Sequence, residues 1–119
     1  MLSKFLDEVI EPGQGFLSPR RMSQVLRMPL SELARVAHLH RNTLAREPRS
    51  DRVQSRLGEI ASIIAFASEL VGDTGRAIIW FRYQPLQGFD HKTAEQLVAE
   101  GHGEAVRKHL ELLAEGGYA

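Results

Sequence analysis

Arg41, Asn42 and Arg46 crowd into the second half of the stretch LARVAHLHRNTLAREP, residues 33–48. Their chemistry is hydrogen bonding to anions and to flat polar edges. An arginine guanidinium is a planar fork of donors that fits a phosphate or carboxylate at two points at once. An asparagine amide pairs a donor with an acceptor. Apolar Leu39 and Leu44 bracket the group. If both leucines point inward, Arg41, Asn42 and Arg46 point out together. Such a trio is either an ordinary solvated face or a surface built to meet a polyanion.

The charge distribution bears on that choice. Fifteen Lys/Arg and fifteen Asp/Glu cancel over the 119 residues, but not evenly. Residues 1–58 carry ten basic against six acidic side chains, a balance of +4; the rest carry five against nine, a balance of −4. Nine of the ten basic residues in the front half lie between Arg20 and Arg56, and all nine are arginine. Opposite signs in the two halves suggest two surfaces for two different partners, although a merely solubilising surface carries the same charges.

Other chemistries find less support. Without cysteine there are no disulfides and no thiolate metal sites, which fits a reducing compartment. His38 and His40 flank a turn, and His102 and His109 are seven apart, so no paired zinc spacing forms and no metal is expected. No nucleophile, base and acid assemble from the lone Ser and His residues. Gly13 and Gly15 lead to no phosphate-cradling loop. The expectation is a non-enzymatic chain without a cofactor. The longest apolar run, residues 60–67, is far short of the ~20 residues of a membrane span. The N-terminal MLSKFLDEVIEPGQG carries acids inside its apolar part and lacks a cleavage pattern. A cytoplasmic protein with no membrane partner is expected.

The elements that must position the trio read as helix throughout, an all-α chain. Residues 2–10 allow a short amphipathic helix ended by Pro12 and Gly13. Ser18 and Pro19 mark a helix start that continues to about Met28. Leu30, Leu33, Ala34 and Ala37 recur at helical spacing. A turn at residues 38–40 then leads to a short helix from Arg41 towards Glu47, stopped by Pro48. Ser50 or Asp51 caps the longest helix, to about Val71, closed by Gly72. Its second half, with Ile60, Ile63, Ile64, Phe66 and Leu70, is apolar enough for burial in the core or against a partner. Asp73 caps a helix reaching Phe81, and Thr93 with Gln96 forms a capping box. A last helix from about Gly103 buries Val106, Leu110 and Leu113 and stops at Gly116-Gly117. Three regions follow: an extension (1–17), a helix-turn-helix region with a long linking helix (18–72), and a small C-terminal helical domain (73–119).

Two resemblances sharpen this outline. Leu33-Ala34, the turn at His38, Leu39, His40 and Thr43-Leu44 resemble the phage-repressor-like helix-turn-helix at every spacing. That family has Gly at the turn where this chain has His38, so His38 is expected at positive φ. The resemblance implies that Arg41, Asn42 and Arg46 touch base edges, Arg on guanine and Asn on adenine. Thr43 belongs to the same face, while His40, Arg20, Arg21 and Arg49 suit phosphate. Residues 77–119 resemble the C-terminal toxin-binding domain of the Xre/MbcA/ParS antitoxin family. The matching features are Trp80, Pro85, Gly88-Phe89, the run KTAEQLV, Gly101, Val106, Leu110 and the closing GGYA.

That second resemblance implies a RES-domain, NAD-consuming toxin as partner and repression of the chain's own operon. A homodimer is expected on an inverted-repeat operator, its recognition helices about 34 Å apart. It also implies that Gly116, Gly117, Tyr118 and Ala119 enter the toxin's cleft. Two glycines free the exit angle, Tyr118 offers a flat anchor, and the Ala119 carboxylate could face arginines meant for a pyrophosphate. Two other functions use the same residues: a protein-interaction module in which the helix-turn-helix is only scaffold, or an ordinary transcriptional regulator with a non-toxin C-terminal partner. Trp80, Phe89, Val106 and Leu110 are assigned to packing.

Overall fold

The computed structural model describes residues 4–116. The described chain is all-α, with helices α1 (Lys4–Val9), α2 (Pro19–Leu26), α3 (Leu30–Val36), α4 (Arg41–Arg46), α5 (Asp51–Val71), α6 (Thr74–Tyr83), α7 (Ala94–Ala99) and α8 (Gly103–Ala114). Among the described residues there is no strand, only isolated bridges between Ile10 and Leu17 and between Pro85 and Thr93.

Local chemistry sets most boundaries. Ser18, Ser50, Asp73 and Thr93 each accept a hydrogen bond from a first-turn N–H, those of Arg21, Val53, Arg76 and Gln96. Each such cap contributes about 1 kcal/mol by satisfying a donor the helix leaves unpaired. Gln96 returns the favour to the Thr93 N–H, completing the expected capping box. Gly72, at φ 78, closes α5 as expected. The end of α2 is different. It stops at Leu26 rather than near Met28, because Arg27 turns left-handed (φ 57) and its N–H bonds back to the Ser23 and Gln24 carbonyls. A non-glycine residue in that conformation leaves no mark in sequence.

A single apolar cluster runs through the described chain. α5 is its axis: Val53, Leu57, Ile60, Ile63 and Ile64 are buried, and α1, α6 and α8 pack around them. Phe5 and Val9 of α1 join from the N-terminal extension, Ala77 and Phe81 from α6, and Val106 and Leu110 from α8. The last turn of α5 is not in this core: Leu70 and Val71 are 39% and 40% exposed, which leaves Leu70 to the other expectation, burial against a partner. Among the described residues no element covers that turn fully. Leu113 is likewise only partly buried. At Gly103 a Cβ would lie 2.5 Å from the Glu59 carboxyl carbon, so a larger residue there would make the Glu59 side chain shift.

Arg82 locks the front of the molecule to the back, and helical periodicity gave no reason to single it out. Its Nε donates to Glu95 Oε1 (3.0 Å), its Nη1 to the carbonyls of Leu26 (3.1 Å) and Arg27 (2.9 Å), and its Nη2 to Glu32 Oε1 (3.1 Å). One side chain of α6 thus caps the carbonyl end of α2 and holds α3 and α7. Arg35 lies 3.8 Å from Glu32 and 3.9 Å from Glu95, so two cations balance two carboxylates. Burial pushes the Glu95 carboxyl above its ordinary value, with the Arg82 hydrogen bond and charge pulling it back only in part. Burial works against the Arg82 cation too, but Glu95, Tyr83 and Glu32 outweigh it and hold its pKa above the ordinary arginine value.

Candidate nucleic-acid interface

α3 and α4 meet across residues 37–40, and the turn is built as its sequence suggested. His38 sits at φ 56, in the left-handed region where the repressor-like pattern has glycine. Leu39 N–H then bonds to the Ala34 carbonyl at 2.9 Å. His40 caps α4: its Nδ1 accepts from the Asn42 N–H at 3.1 Å, which leaves the ring proton on Nε2 as an outward donor. Ala34 is buried beneath the turn, where its carbonyl accepts the Leu39 N–H.

Leu39 and Leu44 are buried, and that fixes the roll of α4. Arg41, Asn42, Ala45 and Arg46 are all exposed, while Thr43 is half-buried at the edge of the face. Asn42 and Arg46 stand one turn apart, with Arg41 beside them and small Ala45 between. The face is therefore polar and free of acidic residues from Arg41 to Arg46, with exposed Glu47 just beyond it.

The four flanking residues divide. Arg20, exposed at the start of α2, lines a groove of about 460 Å³ whose other wall includes Leu44, Ala45 and Pro48. It therefore shares a side of the molecule with α4. Arg49 is exposed beyond the end of α4, its guanidinium stacked 4.9 Å above the Phe16 ring, which holds the charge out in a fixed place. Arg21 does not line that groove. It is half-buried, and its Nε donates to the Glu8 carbonyl at 2.8 Å, tying α2 to α1. Sequence gave no means of separating Arg21 from Arg20, since only the packing of α1 distinguishes them.

At the opposite end, Gly116 is exposed at φ 83, just past α8. Gly117, Tyr118 and Ala119 lie outside the described residues. Beside Gly116 is a shallow hollow of about 370 Å³ lined by Leu70, Leu113 and Ala114. Of its lining, Leu113 is expected from sequence in the core, and Leu70 in the core or against a partner. Trp80 and Phe89 pack against the core as expected, Phe89 edge-on to His109 with ring centres 5.8 Å apart.

Among the described residues no three His, Asp or Glu side chains gather in a metal-binding group. No described helix is long and apolar enough to cross a membrane. No protein-family model matches the chain, and neither the curated proteins nor the solved structures contain a significant match to it.

Proposed function

We propose that the chain is a cytoplasmic, dimeric antitoxin that represses its own operon, with α4 meeting operator DNA and the C-terminal end meeting a RES-domain toxin. The observation that carries the DNA half is the joint exposure of Arg41, Asn42 and Arg46 on a helix whose Leu39 and Leu44 are fixed in the core. A fork from Arg41 or Arg46 suits the O6 and N7 of guanine, and the Asn42 amide suits adenine, each good pairing worth about 1–3 kcal/mol of discrimination. Arg20, Arg49 and the His40 Nε2 donor flank this face and suit phosphates, which position the protein without reading sequence. The toxin half rests on the resemblance over residues 77–119, supported by exposed Gly116 beside an apolar hollow.

Co-expression with the RES-domain product of a neighbouring reading frame tests both halves. The full chain is expected to restore growth, to co-purify with the toxin and to shift DNA from its own upstream region. Deleting Gly116–Ala119 is expected to abolish rescue while leaving the DNA shift intact. Full rescue by the truncated chain would contradict the toxin assignment, and absence of any shift would contradict the DNA assignment.

A further inference from the structure

Residues 10–17 lie outside both resemblances, and the structure gives them a definite shape. Ile10 and Leu17 form an antiparallel bridge. The Glu11 N–H bonds to the Phe16 carbonyl at 2.8 Å, and the Ser18 N–H to the Val9 carbonyl at 2.9 Å. Between them Gly13 (φ 73) and Gly15 (φ 75) turn the chain back, in a backbone region that other residues rarely adopt. The result is a small hairpin. It leaves α1, whose Phe5 and Val9 are fully buried, and delivers Phe16 to its ring contact with Arg49.

One amide ties the two sides of that contact together. Gln54 Nε2 donates to the carbonyls of Leu17 (2.8 Å) and Pro48 (2.7 Å), and its Oε1 accepts from the Leu17 N–H at 2.9 Å. Leu17 follows Phe16 in the chain and Pro48 precedes Arg49. A single side chain of α5 thus holds both backbones one residue from the pair. Arg49 has acids at hand: Glu47 and Asp51 are exposed and two positions away on either side, and Glu11 lines the same groove as Phe16. Among the described residues, however, Arg49 makes no ion pair and no hydrogen bond. The difference is one of charge. A carboxylate would neutralise the guanidinium and occupy its fork, whereas a ring attracts the cation through its face and leaves the charge for a phosphate.

We propose that Phe16 is a positioning residue of the nucleic-acid face: tethered by Gln54, it keeps the Arg49 guanidinium off Glu47 and Asp51 and ready for a backbone phosphate of the bound duplex. The hairpin of residues 10–17 is thereby a working part of that face. The proposal deepens the repressor assignment and rests on it. Because a phosphate carries no sequence information, Phe16 contributes to affinity for every duplex and to preference for none.

Anisotropy on a duplex from the chain's own upstream region and on random DNA compares the full chain with Phe16→Leu, Phe16→Tyr, Arg49→Ala and Phe16→Leu/Arg49→Ala, with thermal CD to verify folding. Phe16→Leu is expected to weaken binding to both duplexes about two- to fivefold, and to weaken it no further once Arg49 is alanine. The conservative Phe16→Tyr, which keeps the ring, is expected to retain affinity. Proton NMR of the free protein reads the contact without DNA. The Arg49 δ-protons, shielded by the ring, should move downfield in Phe16→Leu and in Gln54→Met but not in Phe16→Tyr. Equal losses from Phe16→Leu with and without the Arg49 side chain would mark a merely structural residue and overturn the proposal. So would full affinity in Phe16→Leu, a loss in Phe16→Tyr as large as in Phe16→Leu, or Arg49 protons indifferent to the ring and to Gln54. No binding by the wild type at low salt would sink the repressor assignment and the proposal with it, whereas DNA binding with an additive cycle sinks the proposal alone.

Discussion

His38 holds a left-handed backbone, φ 56, without the absence of a Cβ that makes this conformation easy. The strain is of order 1–2 kcal/mol for an L-residue, partly offset by the smaller conformational freedom of an unfolded histidine compared with glycine. His38→Gly is therefore expected to raise stability by about 0.5–1 kcal/mol in urea denaturation and to leave DNA affinity unchanged. A loss of stability would mean that the imidazole itself holds the turn. The face beyond it divides by the kind of contact each residue is suited to. Asn42→Ala is expected to cost about 1–3 kcal/mol on the cognate sequence and little on random DNA. Arg49→Ala should weaken binding to all sequences alike and reduce the salt slope by roughly one. Arg21→Ala should instead lower stability, because its Nε holds the Glu8 carbonyl.

Between elements, the Arg82 cluster is the tie that sequence did not disclose. Helix starts were legible because a cap and its N–H lie within three residues: Ser18, Ser50, Asp73 and Thr93 act locally, and so do Gly72 and Pro19. Arg82 is separated from Leu26 by 56 positions and from Glu32 by 50, and no period connects them. For the same reason the division of Arg20 from Arg21, and the exposure of Leu70, emerge only from packing. Removing one member of a buried pair leaves its partner unsolvated and unpaired, so Arg82→Met is expected to cost about 3–5 kcal/mol in denaturant unfolding, with much of the loss recovered in Arg82→Met/Glu95→Leu. The pH dependence follows from burial of Glu95. Its folded pKa is raised, so its contribution is complete below the unfolded carboxyl pKa, about 4.3, and is lost as pH rises through the folded value. The melting temperature of the wild type relative to Glu95→Gln should accordingly fall as pH rises above the unfolded carboxyl value. A constant offset would contradict the raised value.

On the scale of the whole molecule, two unlike surfaces share one interior. α4 and the end of α8 are placed by a cluster to which α1, α5, α6, α7 and α8 all contribute. A chain cut after Gly72 would lose Ala77, Phe81, Val106 and Leu110 and expose Ile60, Ile63 and Ile64. It is expected to lack a cooperative unfolding transition by CD or calorimetry, whereas the full chain is expected to unfold in one step. Independent melting of the front segment would show that the halves are separate bodies.

The most direct test of the nucleic-acid face is fluorescence anisotropy of the chain on a duplex from its own upstream region, across rising salt. The wild type is compared with the Arg41→Ala/Asn42→Ala/Arg46→Ala variant. The wild type should bind with a steep negative salt dependence, and the variant should lose its preference for that duplex over random DNA with its melting temperature unchanged. Equal preference in the two proteins, or no binding at low salt by the wild type, would contradict a DNA-reading role for α4.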